Sequence, residues 1–507
     1  MSRAKGAGKE PARKYQTALT MYGGKCSAKV SCGILDSSMN VFTPNDFPDS
    51  TTDSAAIQAA VDAAVVNGTF QVTIPVWNDR AQAPVWTIDE AIRLPSGMTI
   101  VLDNCRLVMA DGVFCNMFTN EHAWTPDRNA AAAEDREITI VGLGHPILDG
   151  GNYNGWGERS TPAGPDDSIA RNVAAAAKIG KRFVNNCFIY FHNVRDFRIE
   201  GLHLRHQRYW AACFVFCSFG EIRNIRFEAD ITWMSEDAKT LDPTRLPIHG
   251  QNLWVKNGDG IDLRVGCHDI LVENLSGFTE DDTVALTNLN GSERRDLVEG
   301  KSTDICRITV RNVRTGTWIW MYQVRLLAAD GRRIHDVSID TVMDTPQPHW
   351  PWRNRGAVLI NSPYDESFRE RNEEMGDMWN ISVANVWSHA ASPISIFRAV
   401  DGLDIRNVHT LENCHAAILC QADAVLKNAR ISGIFCPAVS KIGSVIDFVK
   451  VDGELHVSDV FVDEAEHLMR NSGNAEVLFE NIHIRKLSGE RIVNADDGPH
   501  WFDDTEL

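Results

Sequence analysis

The stretch Asn257-Gly-Asp-Gly-Ile-Asp-Leu-Arg-Val-Gly-Cys-His-Asp-Ile-Leu-Val-Glu-Asn-Leu-Ser-Gly-Phe-Thr-Glu-Asp-Asp282 decides how the chain is read. It holds one carboxylate in a glycine-flanked turn, Asp259, and a carboxylate pair, Asp281 and Asp282, with Asp282 standing 23 positions after Asp259. Between them lies the β-rich run 270–275. A spacing of 20–30 residues that recurs along a chain marks a repeat architecture. If one coil of a parallel β-helix takes that length, Asp259 and Asp282 fall at nearly the same place on successive coils, roughly 4.8 Å apart. Three crowded acids cost electrostatic energy and shift each other's pKa, an arrangement found where catalysis needs it.

The run 270–275, Ile-Leu-Val-Glu-Asn-Leu, is one copy of a pattern in which apolar and polar residues alternate up to an Asn or Asp followed by an apolar residue. Related copies occupy 99–105, 138–142, 197–202, 222–225, 308–313, 334–339, 381–386, 403–408, 455–460 and 477–482. Alternation predicts strands with one face inward. An Asn at a fixed place suggests an amide ladder at a coil corner, since stacked Asn side chains bond along other β assemblies. The expected fold is all-β: a right-handed, single-stranded parallel β-helix. Excursions at 120–136, 157–182 and 230–247 and charged insertions at 288–304 and 364–377 break the rhythm, and such loops wall a solenoid's binding cleft.

Upstream, residues 46–64 combine a polar start, with Ser or Asp as the expected N-cap, and apolar residues at helical spacing. A strand over 70–75 follows. A solenoid needs a cap of this kind, because its first coil otherwise exposes its core. The expected organisation is a polar lead-in over 1–40, one β-helix domain over 41–500 and a tail over 501–507.

The net charge of −18 disfavours a nucleic-acid partner, because phosphate binding needs a basic footprint. An anionic glycan stays open, since only the local field of a cleft matters. No apolar run is long enough to span a membrane, and no apolar segment follows the basic start, so a cytoplasmic protein is expected; a leader removed beforehand would leave the same picture. The 12 cysteines are scattered singly without a C-x-x-C and read as buried free thiols rather than zinc ligands or disulfides. His249, His268 and His349 lack metal-ligand spacing; no metal and no cofactor is expected.

The chain resembles glycoside hydrolase family 28, the polygalacturonase-like enzymes, over about residues 45–345. The resemblance rests on the N-terminal cap, on residues 101–107 and 147–152, on Asn257-Gly258-Asp259-Gly260 followed by Ile261-Asp262, and on Asp281-Asp282. It implies Asp281 as general acid, with Asp259 and Asp282 as bases positioning a water, and inversion at the anomeric carbon. Inverting glycosidases hold one protonated and one ionised carboxyl roughly 6.5–9.5 Å apart. The sequence departs from the family on the next coils. The family's Gly-His-Gly and Arg-Ile-Lys are absent, and the string Tyr322-Gln323-Val324-Arg325-Leu326-Leu327 keeps only the arginine. Asn257, Gln323, Arg325, Tyr322, Trp320, Arg353 and Arg355 are the candidate substrate-binding residues. Trp318, Trp350 and Trp352 are further candidates for stacking on sugar rings.

Two other readings stay open. One is a polysaccharide lyase, using calcium on the Asp cluster or Arg325 as base. The other is a non-catalytic, tailspike-like glycan-binding β-helix. The expected partner is an oligo- or polysaccharide, with an oligomer possible but not indicated.

Overall fold

The computed structural model describes residues 41–111, 113, 115–123, 133–151, 186–229, 258–289, 297–318, 321–346, 355–361, 374–420, 424–437, 441–448 and 451–493. The lead-in 1–40, the tail 501–507 and most of the five excursions lie outside the described residues. Residues from Val41 onward form one compact unit.

That unit is a right-handed parallel β-helix, and the 29 strands among the described residues join in one coiled sheet. The register explains why the pattern repeats. On one face Ile261 pairs with Val284, Val284 with Val324, Val324 with Val358, and Val358 with Ile394. On the opposite side Ile222, Val272, Val310, Ile339 and Val383 form a second column. All of these are buried in a single apolar core. Each contributes about 1.5–3 kcal/mol by leaving water, and stacking like on like lets β-branched side chains fill the space between coils.

The polar member of the pattern marks a corner. Asn224, Asn274, Asn312, Asn385 and Asn407 all have left-handed backbone, with φ between 54° and 59°. Asn tolerates this region better than other L-residues with a Cβ. Their amides form the expected ladder: Asn274 Nδ2 donates to Asn224 Oδ1 at 3.0 Å, Asn312 to Asn274 at 2.6 Å, and Asn407 to Asn385 at 3.0 Å. Thr341 interrupts it, sitting between Asn312 and Asn385 in register with φ 59°. Asn385 donates instead to Asp340 Oδ1 at 3.1 Å.

The N-terminal cap is helix α1, Asp53–Val66. Ile57, Ala60, Val61 and Ala64 lie on one helical face and are fully buried in the core. The N-cap is Thr52, whose hydroxyl accepts the Ala55 N–H at 3.1 Å, not the Ser or Asp expected. Asp53 is drawn inside instead: it ion-pairs with Arg80 and accepts Asn78 Nδ2 and the Thr87 N–H at 2.8 Å each. The ten described cysteines are free, and all but Cys115 are buried.

Candidate active site

The acids arise at turns leading into two neighbouring strands, Ile261–Leu263 and Val284–Asn288. Ile261 pairs with Val284, so Asp259 and Asp282 share one level on successive coils, and the Gly260 N–H donates to the Asp282 carbonyl at 2.9 Å. Gly260 is required sterically, because its clash is with backbone, whereas at Gly258 a side chain would have to shift. A Cβ on Gly260 would lie 2.5 Å from the Thr283 carbonyl oxygen, and one on Gly258 would lie 2.8 Å from Glu280 Oε2. The pair's turn is held by Thr279, whose hydroxyl donates to the Asp281 carbonyl at 2.6 Å, and by the Asp282 N–H, which donates to Asp281 Oδ1 at 2.9 Å.

Carboxylate oxygens of Asp259, Asp281 and Asp282 all come within 4.8 Å of one another. All three residues are buried. Burial, then Asp262, Asp281 and Asp282, drive the Asp259 carboxyl well above its usual range, with Arg325 opposing. Burial and then Asp282 drive Asp281 upward in the same way. Three carboxyls this close cannot all ionise cheaply, so the trio holds protons near neutral pH. The spacing is tighter than the roughly 6.5–9.5 Å between the carboxyls of an inverting pair. This distance therefore does not support the inversion expected from the sequence.

Arg325 comes from the third coil. Its strand, Tyr322–Ala328, pairs directly with Val284–Asn288, so it is the coil immediately after the acid pair. Arg325 Nε lies 2.5 Å from Asp282 Oδ2, and Nη2 lies 4.0 Å from Asp259 Oδ2. Asp282 Oδ1 also accepts the Tyr322 N–H at 2.9 Å. A hard divalent cation would favour such an oxygen trio, but the guanidinium already faces two of its three members.

A fourth carboxylate, Asp262, was not among the expected site residues. Alternation along Gly260-Ile261-Asp262-Leu263-Arg264 is the signal that finds it: Ile261 and Leu263 enter the core while Asp262 and Arg264 face outward. Asp262 has no exposed surface. Arg264 Nη1 stands 3.5 Å from it, and the same guanidinium stacks 4.4 Å from the Trp210 ring. Burial raises Asp262 to about 7 against the pull of Arg264 and Arg325.

Two expected substrate contacts are buried. Tyr322 is 1% exposed, packed with Leu359 and Phe397, and its ring lies where a Cβ on Gly356 would come within 2.6 Å. Gln323 has no exposed surface. The register puts it in one row with Thr283, whose hydroxyl meets Thr315 at 2.8 Å, and with Ala357, which is in the core. Gln323 is thus as buried as Asp259 and Asp282, and its amide finds no partner among the described residues. Arg355 stands one coil beyond Arg325, half-buried and close enough to oppose the upward pull of burial on the Tyr322 phenol. Trp318 is half-buried, with its indole N–H donated to the Ala229 carbonyl at 2.7 Å. Asn257, Trp320, Arg353, Trp350, Trp352, His249 and His349 lie outside the described residues.

No protein-family profile matches the chain, and no curated protein does. Solved structures do. The chain is similar to PfbA, a surface adhesin of Streptococcus pneumoniae, at 13% identity and a TM-score of 0.53, covering 89% of this chain and 93% of that one. It is similar to the tailspike protein of an E. coli bacteriophage in complex with a hexasaccharide, at 11% identity and a TM-score of 0.54, covering 89% and 78%. An exopolygalacturonase from Thermotoga maritima matches at 15% identity and a TM-score of 0.46, covering 87% and 91%. At these identities the likeness is one of fold.

Among the described residues no helix is long and apolar enough to cross a membrane.

Proposed function

We propose that this chain is a glycoside hydrolase acting on pectin-type or related glycans. The observation that carries the reading is the convergence of Asp259, Asp281 and Asp282 within 4.8 Å, from two successive coils, with Arg325 of the third coil against them. Asp281, pushed up by burial and by Asp282, is the proton donor to the leaving glycosidic oxygen. Asp282, the partner of Arg325, takes the proton of the attacking water, and Asp259 shares in positioning that water. One water is consumed: its hydroxyl ends on the anomeric carbon, Asp282 releases the proton it took, and Asp281 regains one from solvent.

The lyase reading is weaker. β-Elimination needs a base on the sugar acid, and an arginine bonded to a carboxylate keeps its proton. A non-catalytic glycan-binding reading draws on the adhesin and the tailspike, whose folds match best among those described, and on the absent family His and Lys.

The deciding experiment incubates the protein with pectic and neutral plant glycans, following new reducing ends and ultraviolet absorbance with and without a chelator. Reducing ends without absorbance, indifferent to chelator, support hydrolysis. Absorbance that needs a divalent ion supports elimination. Binding without turnover supports the adhesin-like reading.

A further inference from the structure

The outward column that carries Asp262 and Arg325 continues well past the acids. Arg325 pairs with Leu359, Leu359 with Ser395, and Ser395 with Leu419. Leu419 then pairs with Asp447, and Asp447 with Arg470. A second polar cluster therefore stands on the same face. Asp447 Oδ2 meets His415 Nε2 at 2.8 Å and accepts Arg470 Nη1 at 3.2 Å. The Asp447 side chain is fully buried, and among the described residues its Oδ1 has no hydrogen-bond partner. A buried anionic oxygen without a donor is costly and needs an explanation. The partners are accessible: His415 and Arg470 expose 42% and 24% of their side chains. Only Nη1 of the Arg470 guanidinium is engaged among the described residues, leaving donors on its other edge.

We propose that His415, Asp447 and Arg470 form a distal subsite that binds a pair of adjacent sugar hydroxyls on a long glycan. One hydroxyl donates to Asp447 Oδ1, and its neighbour accepts from the open edge of Arg470. Oδ1 is buried, so the hydroxyl reaches it only after a side chain turns aside, and His415 is the more exposed of the two partners of Asp447. Asp447 and Arg470 lie five and six strand spacings from the coil of Asp281 and Asp282, about 24–29 Å along the solenoid. Several linked pyranose rings cover that span, so the subsite rewards chain length. The inference rests on the glycan-acting reading above and adds to it a chain-length requirement.

The test uses the full chain carrying Asp281→Asn, so that no turnover occurs. Short and long oligosaccharides, neutral and oligogalacturonate, are titrated by calorimetry. The parent is expected to bind long chains more tightly than short ones. Arg470→Ala and, separately, the near-isosteric Asp447→Asn are expected to cut that preference roughly tenfold, the worth of one hydrogen bond to a charged group. Thermal melting confirms that each variant is folded. A parent without length preference, or variants that keep it, overturns the subsite. Loss confined to oligogalacturonates overturns the hydroxyl assignment, because the bound group is then a carboxylate. If no oligosaccharide of any length binds the parent, the glycan-acting reading itself fails and takes the subsite with it.

Discussion

The guanidinium of Arg325 and the carboxylate of Asp282 meet at 2.5 Å across the boundary between two coils, with both side chains largely shielded from solvent. A buried pair of this kind is weak evidence of stability in itself, but removing one partner leaves a buried charge uncompensated. Here the stranded charge would sit among other carboxylates.

Arg325→Ala should therefore destabilise the fold by about 3–5 kcal/mol, read as a lowered denaturant midpoint. Turnover should fall with it. Arg325→Lys keeps a charge but loses the planar fork, so it should recover stability more than activity. Unchanged stability in the alanine variant would mean the pair is not formed in solution.

Asp281→Asn should lower turnover by roughly 10²–10⁴-fold, the usual worth of a general acid, while circular dichroism stays that of a β-helix. The isosteric amide keeps the acceptor that receives the Asp282 N–H, so folding is not at issue. Near-normal turnover would remove Asp281 from the mechanism.

Asp262 ties stability to pH. Its folded pKa of about 7 lies above the ordinary aspartate value of 3.8, so the folded state holds this proton more tightly. Its contribution is fully present below the unfolded pKa and is lost as pH rises through the window from about 4 to about 7. Asp262→Asn should flatten that part of the melting-temperature profile relative to the parent. Parallel profiles for the two proteins across the window would show that Asp262 titrates normally.

Thr341 is the position to improve. A β-branched residue in left-handed backbone is strained, and it splits the amide ladder. Thr341→Asn should relieve the strain and connect Asn312 to Asn385, gaining about 1 kcal/mol. Asn312→Ala should lose at least as much, and Asn312→Gly less, because glycine keeps the backbone and forfeits only the bonds. Urea midpoints of the three variants test the order.

The fold was legible because each coil writes its two demands in adjacent letters: alternating branched residues for the core, then an Asn for a corner that needs left-handed backbone. The acid trio was legible because its spacing equals one coil. What alternation alone misplaces is the corner itself. Gln323 has no exposed surface and Tyr322 packs with Leu359 and Phe397, so two residues near Arg325 in sequence are buried there. Asp262 escaped notice for the opposite reason. It sits in an ordinary strand, and its charge becomes notable only once Arg264 and the stacked coils close around it. The N-cap shifted to Thr52 because Asp53 found Arg80 and Asn78 at long range, which no local pattern contains.

The amide ladder and the strand register also set a unit of length. Along the outer face, any two groups on the same column are separated by a whole number of strand spacings, and no side-chain change alters that count. Such a face behaves as a ruler with fixed graduations. Its reading of a polymer can be lengthened only by inserting or deleting an entire coil, so a change in the size of ligand accepted should arrive in discrete jumps, with the chemistry at Asp259, Asp281 and Asp282 left intact.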